Sequence, residues 1–144
     1  MRQVDHFIVG DNPATGRTHK IWNPSTGEVQ AEVALGDAAL LEQAVAAAKQ
    51  VQPEWAATNP QRRARIMFEF KRLVEANKQD LAELLSSEHG KVVDDAHGDV
   101  QRGLEVIEFA CGIPQALKGE YTQGAGPGID VYSMRQPLGI GAGI

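Results

Sequence analysis

The run GDVQRG (98–103) holds the residue of this sequence whose charge could most directly do chemistry, Arg102. Two uses of that charge are open. Asp99 and Glu105 lie three residues away on either side, so Arg102 can form a helix-surface ion pair worth about 0.2–0.5 kcal/mol. Alternatively its planar guanidinium can face a cleft and hold an anionic substrate in bidentate fashion. Spacing alone favours the surface pair, because such pairs are common. Gly98 and Gly103 flank the arginine and are unusual for a helix interior, each costing roughly 1 kcal/mol against alanine. A close neighbour, either backbone or ligand, is expected to compensate.

Other residues offer less. Gly139-x-Gly141-x-Gly143 lacks the G-x-G-x-x-G spacing of a dinucleotide fingerprint, and no acidic residue follows at the required distance. Cys111 has Glu108 one turn back and no basic residue close in sequence, so it reads as a small packed residue rather than an activated thiolate. The histidines, at 6, 19, 89 and 97, lack the close pairing of a zinc site. His89, Asp94, Asp95, His97 and Asp99 read as a solvated helix face and cap. Arg62, Arg63 and Arg65 sit where they oppose a helix macrodipole, and read as solvated surface or a subunit contact before an anion site. Trp22 and Trp55 read as core or interface anchors.

The elements that must position these residues follow from periodicity. Ala96, Val100, Gly103, Leu104, Ile107, Ala110 and Cys111 recur at spacings of three and four, one apolar stripe of an amphipathic helix within residues 88–117. Pro114 bounds it. Two helices precede it. The first has Asp37 as N-cap, a stripe through Leu41, Ala44, Val45, Ala48, Val51 and Trp55, and Pro53 marking or kinking its end. The second starts at Asn59-Pro60, carries Met67, Phe70, Val74, Leu81, Leu84 and Leu85, is open to a break at residues 76–80, and stops at Gly90. Ahead of them Phe7-Ile8-Val9 reads as a short strand. Asn12-Pro13-Ala14-Thr15-Gly16 and Asn23-Pro24-Ser25-Thr26-Gly27 are echoed turns, and strands are expected at residues 19–22 and 28–33. After a glycine-rich loop (119–128), residues 129–136 read as a strand. Residues 138–144 alternate apolar side chains with glycine and read as a buried strand lacking its partners.

A 144-residue chain, 42% hydrophobic and 23% charged, fits one ordinary globular domain. Its net charge of −5 argues against nucleic-acid or anionic-membrane partners, which need a basic face. No run approaches the ~20 apolar residues of a membrane span, and the N-terminus lacks a secretory or transit pattern. One cysteine suits a reducing compartment, so a cytoplasmic protein is expected. The residues alone describe an α+β chain without a complete active site.

Taken in order, Phe7-Ile8-Val9-Gly10, the NPSTGE run (23–28), the helices, EHGK (88–91) and PLGIGAGI (137–144) resemble the N-terminal part of the aldehyde dehydrogenase superfamily. GDVQRGLEVIEFACG (98–112) and DVYSMRQPLGIGAGI (130–144) resemble its methylmalonate-semialdehyde dehydrogenase subfamily. The resemblance implies an α/β fold of the aldehyde dehydrogenase type. It divides the chain into N-terminal strands and turns (1–35), helices of the coenzyme-binding domain (36–118), a loop and oligomerisation-arm strand (119–137), and the start of the NAD-domain sheet (138–144). It also implies a reaction: a cysteine thiolate attacks a carboxylate-bearing semialdehyde, hydride leaves to NAD, and coenzyme A takes the acyl group. In this subfamily an arginine of the GDVxRG motif holds the substrate carboxylate, and Arg102 matches it.

The same resemblance sets the chain apart from a working enzyme. Relatives are much longer, and their nucleophile, general base and most coenzyme contacts fall outside the matched stretch. Cys111 does not match the nucleophile's motif. The expectation is an N-terminal piece, inactive alone, with no catalytic, cofactor-binding or metal-ligating residue of its own, belonging to a homo-oligomer of tetramer type. Two alternatives stay open: another aldehyde dehydrogenase subfamily in which Arg102 is structural, and a non-catalytic assembly module.

Overall fold

The computed structural model describes residues 1–11, 13 and 15–144. The first of the echoed turns, residues 12–16, lies partly outside them.

Three strands form the first layer. β1 (Arg2–Val4) runs parallel to the central β3 (Val29–Ala34), and β2 (Thr18–Trp22) runs antiparallel to it. Ala31 and Ala34 of β3 are buried, and because side chains alternate along a strand they lie on its opposite faces. The expected strand at residues 7–9 is replaced by β1. Ile8 makes only an isolated bridge to Asp11 across a tight turn in which Val9 (φ 54°) and Gly10 (φ 87°) have positive φ. Phe7 and Val9 stay exposed.

Five helices follow. α1 (Ala38–Ala57) begins where the Asp37 carboxylate accepts the Leu40 N–H at 2.8 Å, a cap typically worth about 1 kcal/mol. It continues past Pro53, so the proline does not end it. α2 (Pro60–Ala76) starts on the Asn59 cap and Pro60. The polar break falls at Asn77, and α3 (Lys78–His89) runs on to Gly90. α4 (Val93–Cys111) is the long amphipathic helix, and α5 (Ile113–Ala116) is a single turn containing Pro114. α2 and α3 both pack on α4.

The buried positions of α2, α3 and α4 are mostly small residues. Among the described residues, Ala64 of α2, Ala82 of α3, and Ala96, Leu104 and Cys111 of α4 are buried. The rest of the expected α4 stripe, Val100, Ile107 and Ala110, is half-buried, and Gly103 is exposed. Lys71 ties α2 to α4 through Glu108 at 3.2 Å. Lys78 donates to Gln101 at 2.9 Å, and His97 meets Gln79 at 2.9 Å, joining α3 to α4.

The glycine-rich segment expected as a loop contains a strand. β4 (Tyr121–Gly126) pairs antiparallel with β5 (Ile129–Tyr132) as a projecting hairpin. Asp130 fastens it, accepting from the Tyr121 hydroxyl at 2.6 Å and from the Gly124 N–H at 2.8 Å. The β5 strand is shorter than expected, and residues 138–144 are exposed and pair with no strand among the described residues.

The surface is large for the mass. A 15.5 kDa chain folded as a free-standing globule exposes about 7,200 Å² by the usual scaling, whereas this one exposes 10875 Å². Much of the excess is apolar. Leu41 and Val51 on α1, Ile66, Phe70 and Leu73 on α2, and Val106 and Phe109 on α4 all face outward. Burial of this kind of surface is the main favourable contribution to folding and association.

Candidate functional site

Arg102 is positioned by a chain of contacts that begins at the Asn23–Gly27 turn. There the Asn23 side chain accepts the Ser25 N–H at 2.9 Å, and the Gly27 N–H closes on the Asn23 carbonyl at 2.8 Å. The turn seats against the end of α3: the Ser25 hydroxyl donates to the Gly90 carbonyl at 3.5 Å. Two further bonds fix the same corner. Gln30 of β3 donates to the Ser87 carbonyl at 3.0 Å, and Arg2 pairs with Glu88 at 2.7 Å. Gly90 itself has φ 87°, a left-handed conformation that only glycine adopts without cost.

This corner presents Lys91. Its carbonyl accepts the Ser86 hydroxyl at 2.6 Å. Its ammonium reaches along α4 to Asp95 Oδ2 at 2.7 Å and to Asp99 Oδ2. Asp99 is shared: its second oxygen, Oδ1, accepts from Arg102 Nη1 at 2.5 Å. Asp95, Asp99 and Arg102 fall on one helix face because they are spaced four and three residues apart. The Lys91 side chain is 17% exposed, that of Asp99 36% and that of Arg102 73%, so the row runs outward from a mostly covered cation to an open guanidinium.

The ionisation of the row follows from these bonds. The Lys91 ammonium, with help from Arg102, holds the Asp99 carboxyl below its ordinary value of 3.8. Asp95 and then Asp99 raise Lys91 above 10.5. Hydrogen bonds to the charged form favour that form, which is the direction seen for both groups. At neutral pH Lys91 and Asp99 therefore both stay charged.

The surface beside Arg102 is bare. A Cβ built on Gly98 or on Gly103 would meet nothing within 4 Å. The close neighbour expected to compensate for these glycines is thus absent from the described residues. The ion-pair reading of Arg102 holds for Asp99, while Glu105 takes no part. That pairing uses one donor of the guanidinium, Nη1, and Arg102 makes no other hydrogen bond among the described residues.

The remaining expected residues separate. The polar group at residues 89–99 is divided among partners: His97 turns to Gln79, Asp95 and Asp99 to Lys91, and His89 stays exposed. Among the described residues no three of His, Cys, Asp and Glu come together as a metal site. Cys111 is buried at the end of α4. Trp22 and Trp55 are 45% and 47% exposed, so neither is a core anchor in this chain. Arg63 lies with its guanidinium carbon 5.9 Å from the Trp55 ring centroid, within cation–π range. Both residues line an open cleft with Arg135 and Pro137. Gly139, with φ 109°, Gly141 and Gly143 lie outside helix and strand and open no helix among the described residues, so no helix N-terminus is formed there to hold a pyrophosphate. No chemical step is assigned to them.

Sequence reasoning named Arg102 and Asp99 but missed Lys91 as their anchor. Lys91, Asp95 and Asp99 are spaced four residues apart, a helical period that crosses the start of α4. The available signals were that spacing and Gly90, whose stop of α3 turns the next residue onto α4.

Known proteins resemble the chain along its length. The model of the aldehyde dehydrogenase family matches residues 12–144. Malonate-semialdehyde dehydrogenase of Pseudomonas aeruginosa is 43% identical over 145 residues, covering 100% of this chain and 29% of the relative. The acylating methylmalonate-semialdehyde dehydrogenase of Arabidopsis thaliana is 44% identical over 122 residues, covering 85% of this chain and 20% of the relative. Among solved structures, a protein from Sinorhizobium meliloti assigned as a methylmalonate-semialdehyde dehydrogenase, in complex with NAD, is 58% identical. It superposes with a TM-score of 0.91 over 98% of this chain and 29% of its own. The chain spans less than a third of the length of these relatives.

Proposed function

This chain belongs to the aldehyde dehydrogenase family, and from that premise we propose that it forms the N-terminal part of an NAD-dependent, coenzyme A-acylating malonate- or methylmalonate-semialdehyde dehydrogenase. Arg102 is its clamp for the substrate carboxylate. The observation that carries the reading is the guanidinium of Arg102, oriented by Asp99 through one donor and bordered by two glycines that leave its surroundings open. A planar guanidinium matches a carboxylate through two parallel bonds, and glycine lets a small ligand approach the helix backbone. The names of the relatives supply the substrate class, the acylating type and NAD.

In this reading residues 1–35 and 36–118 are the N-terminal strands and the helices of the coenzyme-binding domain. Residues 119–137 are an oligomerisation arm, and residues 138–144 begin the coenzyme-domain sheet. The chemistry of oxidation, with hydride accepted by NAD, is carried elsewhere in the full-length enzyme. The part played by this chain is binding and orientation. The full-length enzyme is a homo-oligomer of tetramer type, and the exposed apolar faces of α1, α2 and α4 support such burial. Among the described residues no helix is long and apolar enough to cross a membrane, and a cytoplasmic location fits the reading.

The test is a hybrid enzyme in which residues 1–144 are joined to the remaining segment of the Sinorhizobium meliloti relative. Replacing Arg102→Leu should raise KM for malonate semialdehyde roughly 10- to 100-fold, the range expected for lost charge-assisted bonds. Propanal, which has the same carbon chain without the carboxylate, should be affected little. Equal losses on both aldehydes would show Arg102 to be structural, and would favour another aldehyde dehydrogenase activity.

A further inference from the structure

We propose that Asp99, anchored by Lys91, is a positioning residue for substrate selection: it holds one end of the Arg102 guanidinium so that the opposite edge is presented to a carboxylate-bearing aldehyde. This rests on the clamp reading of Arg102 and adds to it a second residue and a geometry.

A guanidinium carries five donors arranged in a rigid plane. Asp99 engages only Nη1 of Arg102, at 2.5 Å. That leaves the Nε–Nη2 edge, the side-on edge suited to a bidentate carboxylate, without a partner among the described residues. One guanidinium can therefore serve two carboxylates at once, one internal and one from the ligand.

An arginine on a helix surface otherwise samples many rotamers, and fixing it at the moment of binding lowers affinity. Here most of that ordering is supplied in advance. The Asp99 carboxylate is itself held at its other oxygen, because Lys91 takes Oδ2. Lys91 in turn is fixed by the Ser86 bond to its carbonyl and by Asp95. The row Lys91–Asp99–Arg102 thus transmits the position of the α3–α4 corner to the exposed guanidinium. Asp99 also explains how an arginine beside bare glycines keeps one direction without a side-chain wall. Since Lys91 offsets its charge, Asp99 does not repel an incoming carboxylate as an isolated aspartate would.

The experiment uses the same hybrid enzyme, with malonate semialdehyde and propanal as paired substrates. Asp99→Asn should raise KM for malonate semialdehyde about tenfold with kcat within twofold of the parent, and leave propanal unchanged. Asp99→Glu, which keeps the carboxylate, should restore much of the loss. Lys91→Met, which frees the far oxygen of Asp99, should give a smaller shift of the same kind and serves if the asparagine variant folds poorly. Parent-like KM in both Asp99→Asn and Lys91→Met would overturn the proposal, as would equal loss of kcat on both aldehydes. The Arg102→Leu variant separates the two readings. If it impairs malonate semialdehyde selectively while the Asp99 and Lys91 variants do not, the clamp stands and the positioning role falls. If it impairs both aldehydes alike, the clamp itself falls.

Discussion

Pro24 and Gly90 meet so closely that a Cβ on the glycine would lie 2.9 Å from the proline Cγ. The contact joins a surface turn to the end of α3, 66 residues later in the chain, at the corner from which Lys91 and the charged row depart.

Gly90→Ala should therefore do more than strain one residue. At φ 87° a side chain costs about 1–2 kcal/mol, and Pro24 must also shift. The expected outcome is a lower midpoint in thermal unfolding. In the hybrid enzyme a higher KM for malonate semialdehyde should accompany it, because the row is displaced. A variant as stable as the parent would show that the corner is not fixed as described.

Gly98 and Gly103 make the opposite prediction. Each would place a Cβ in open space, and alanine is the better helix former by roughly 1 kcal/mol. Replacing either by alanine should raise the helicity or melting point of this chain by itself, followed by circular dichroism. In the hybrid enzyme the same changes should weaken malonate semialdehyde binding, because the added methyl occupies the approach to Arg102. Stabilisation in both settings would mean that nothing comes close to these positions.

The Lys91–Asp99 pair predicts a pH dependence of definite sign. The carboxyl of Asp99 is lowered from 3.8 in the folded chain. Its stabilising contribution is present above 3.8 and is lost as pH falls through the lowered value. Lys91 is raised from 10.5, so its contribution is present below 10.5 and is lost as pH rises through the raised value. Asp99→Asn should accordingly melt lower than the parent at neutral pH, with the gap closing in acid. A gap that is constant across the acid range would exclude the ion pair as its source.

The exposed apolar faces predict association. With 10875 Å² of surface against about 7,200 Å² for a free-standing globule of this mass, the chain expressed alone should self-associate. Light scattering over a concentration series would detect this. A monodisperse monomer would count against these faces as contact surfaces.

Much of the fold was legible in residue order because it rests on local rules. Asp37 and Asn59 cap helices through their own side chains, Gly90 stops a helix through its backbone freedom, and the α4 stripe follows from a 3.6-residue period. The failures came where a distant partner decides. Phe7-Ile8-Val9 has strand-forming residues, yet the ladder went to Arg2–Val4, because pairing with β3 sets which residues join. The segment at 121–126 is rich in glycine, yet it forms a strand because Asp130 binds both Tyr121 and Gly124 across the hairpin. Trp22 and Trp55 are large and apolar, yet nearly half of each stays exposed, with only His19 and Arg63 against their rings among the described residues.

What the amino-acid order determined by itself was the longer helices, the caps at Asp37, Asn59 and Gly90, and the placing of an arginine between two glycines, all matters of neighbours within a few residues. It also carried the family, since the order of landmarks along the chain is a linear property. Only the tertiary structure decided that Asp99 is shared between Lys91 and Arg102, that one edge of the guanidinium stays open, and that the flanking glycines face empty space. Those facts depend on how α3 turns onto α4 at a corner held by the Asn23–Gly27 turn. Contacts made across such distances in sequence leave no periodic trace in it.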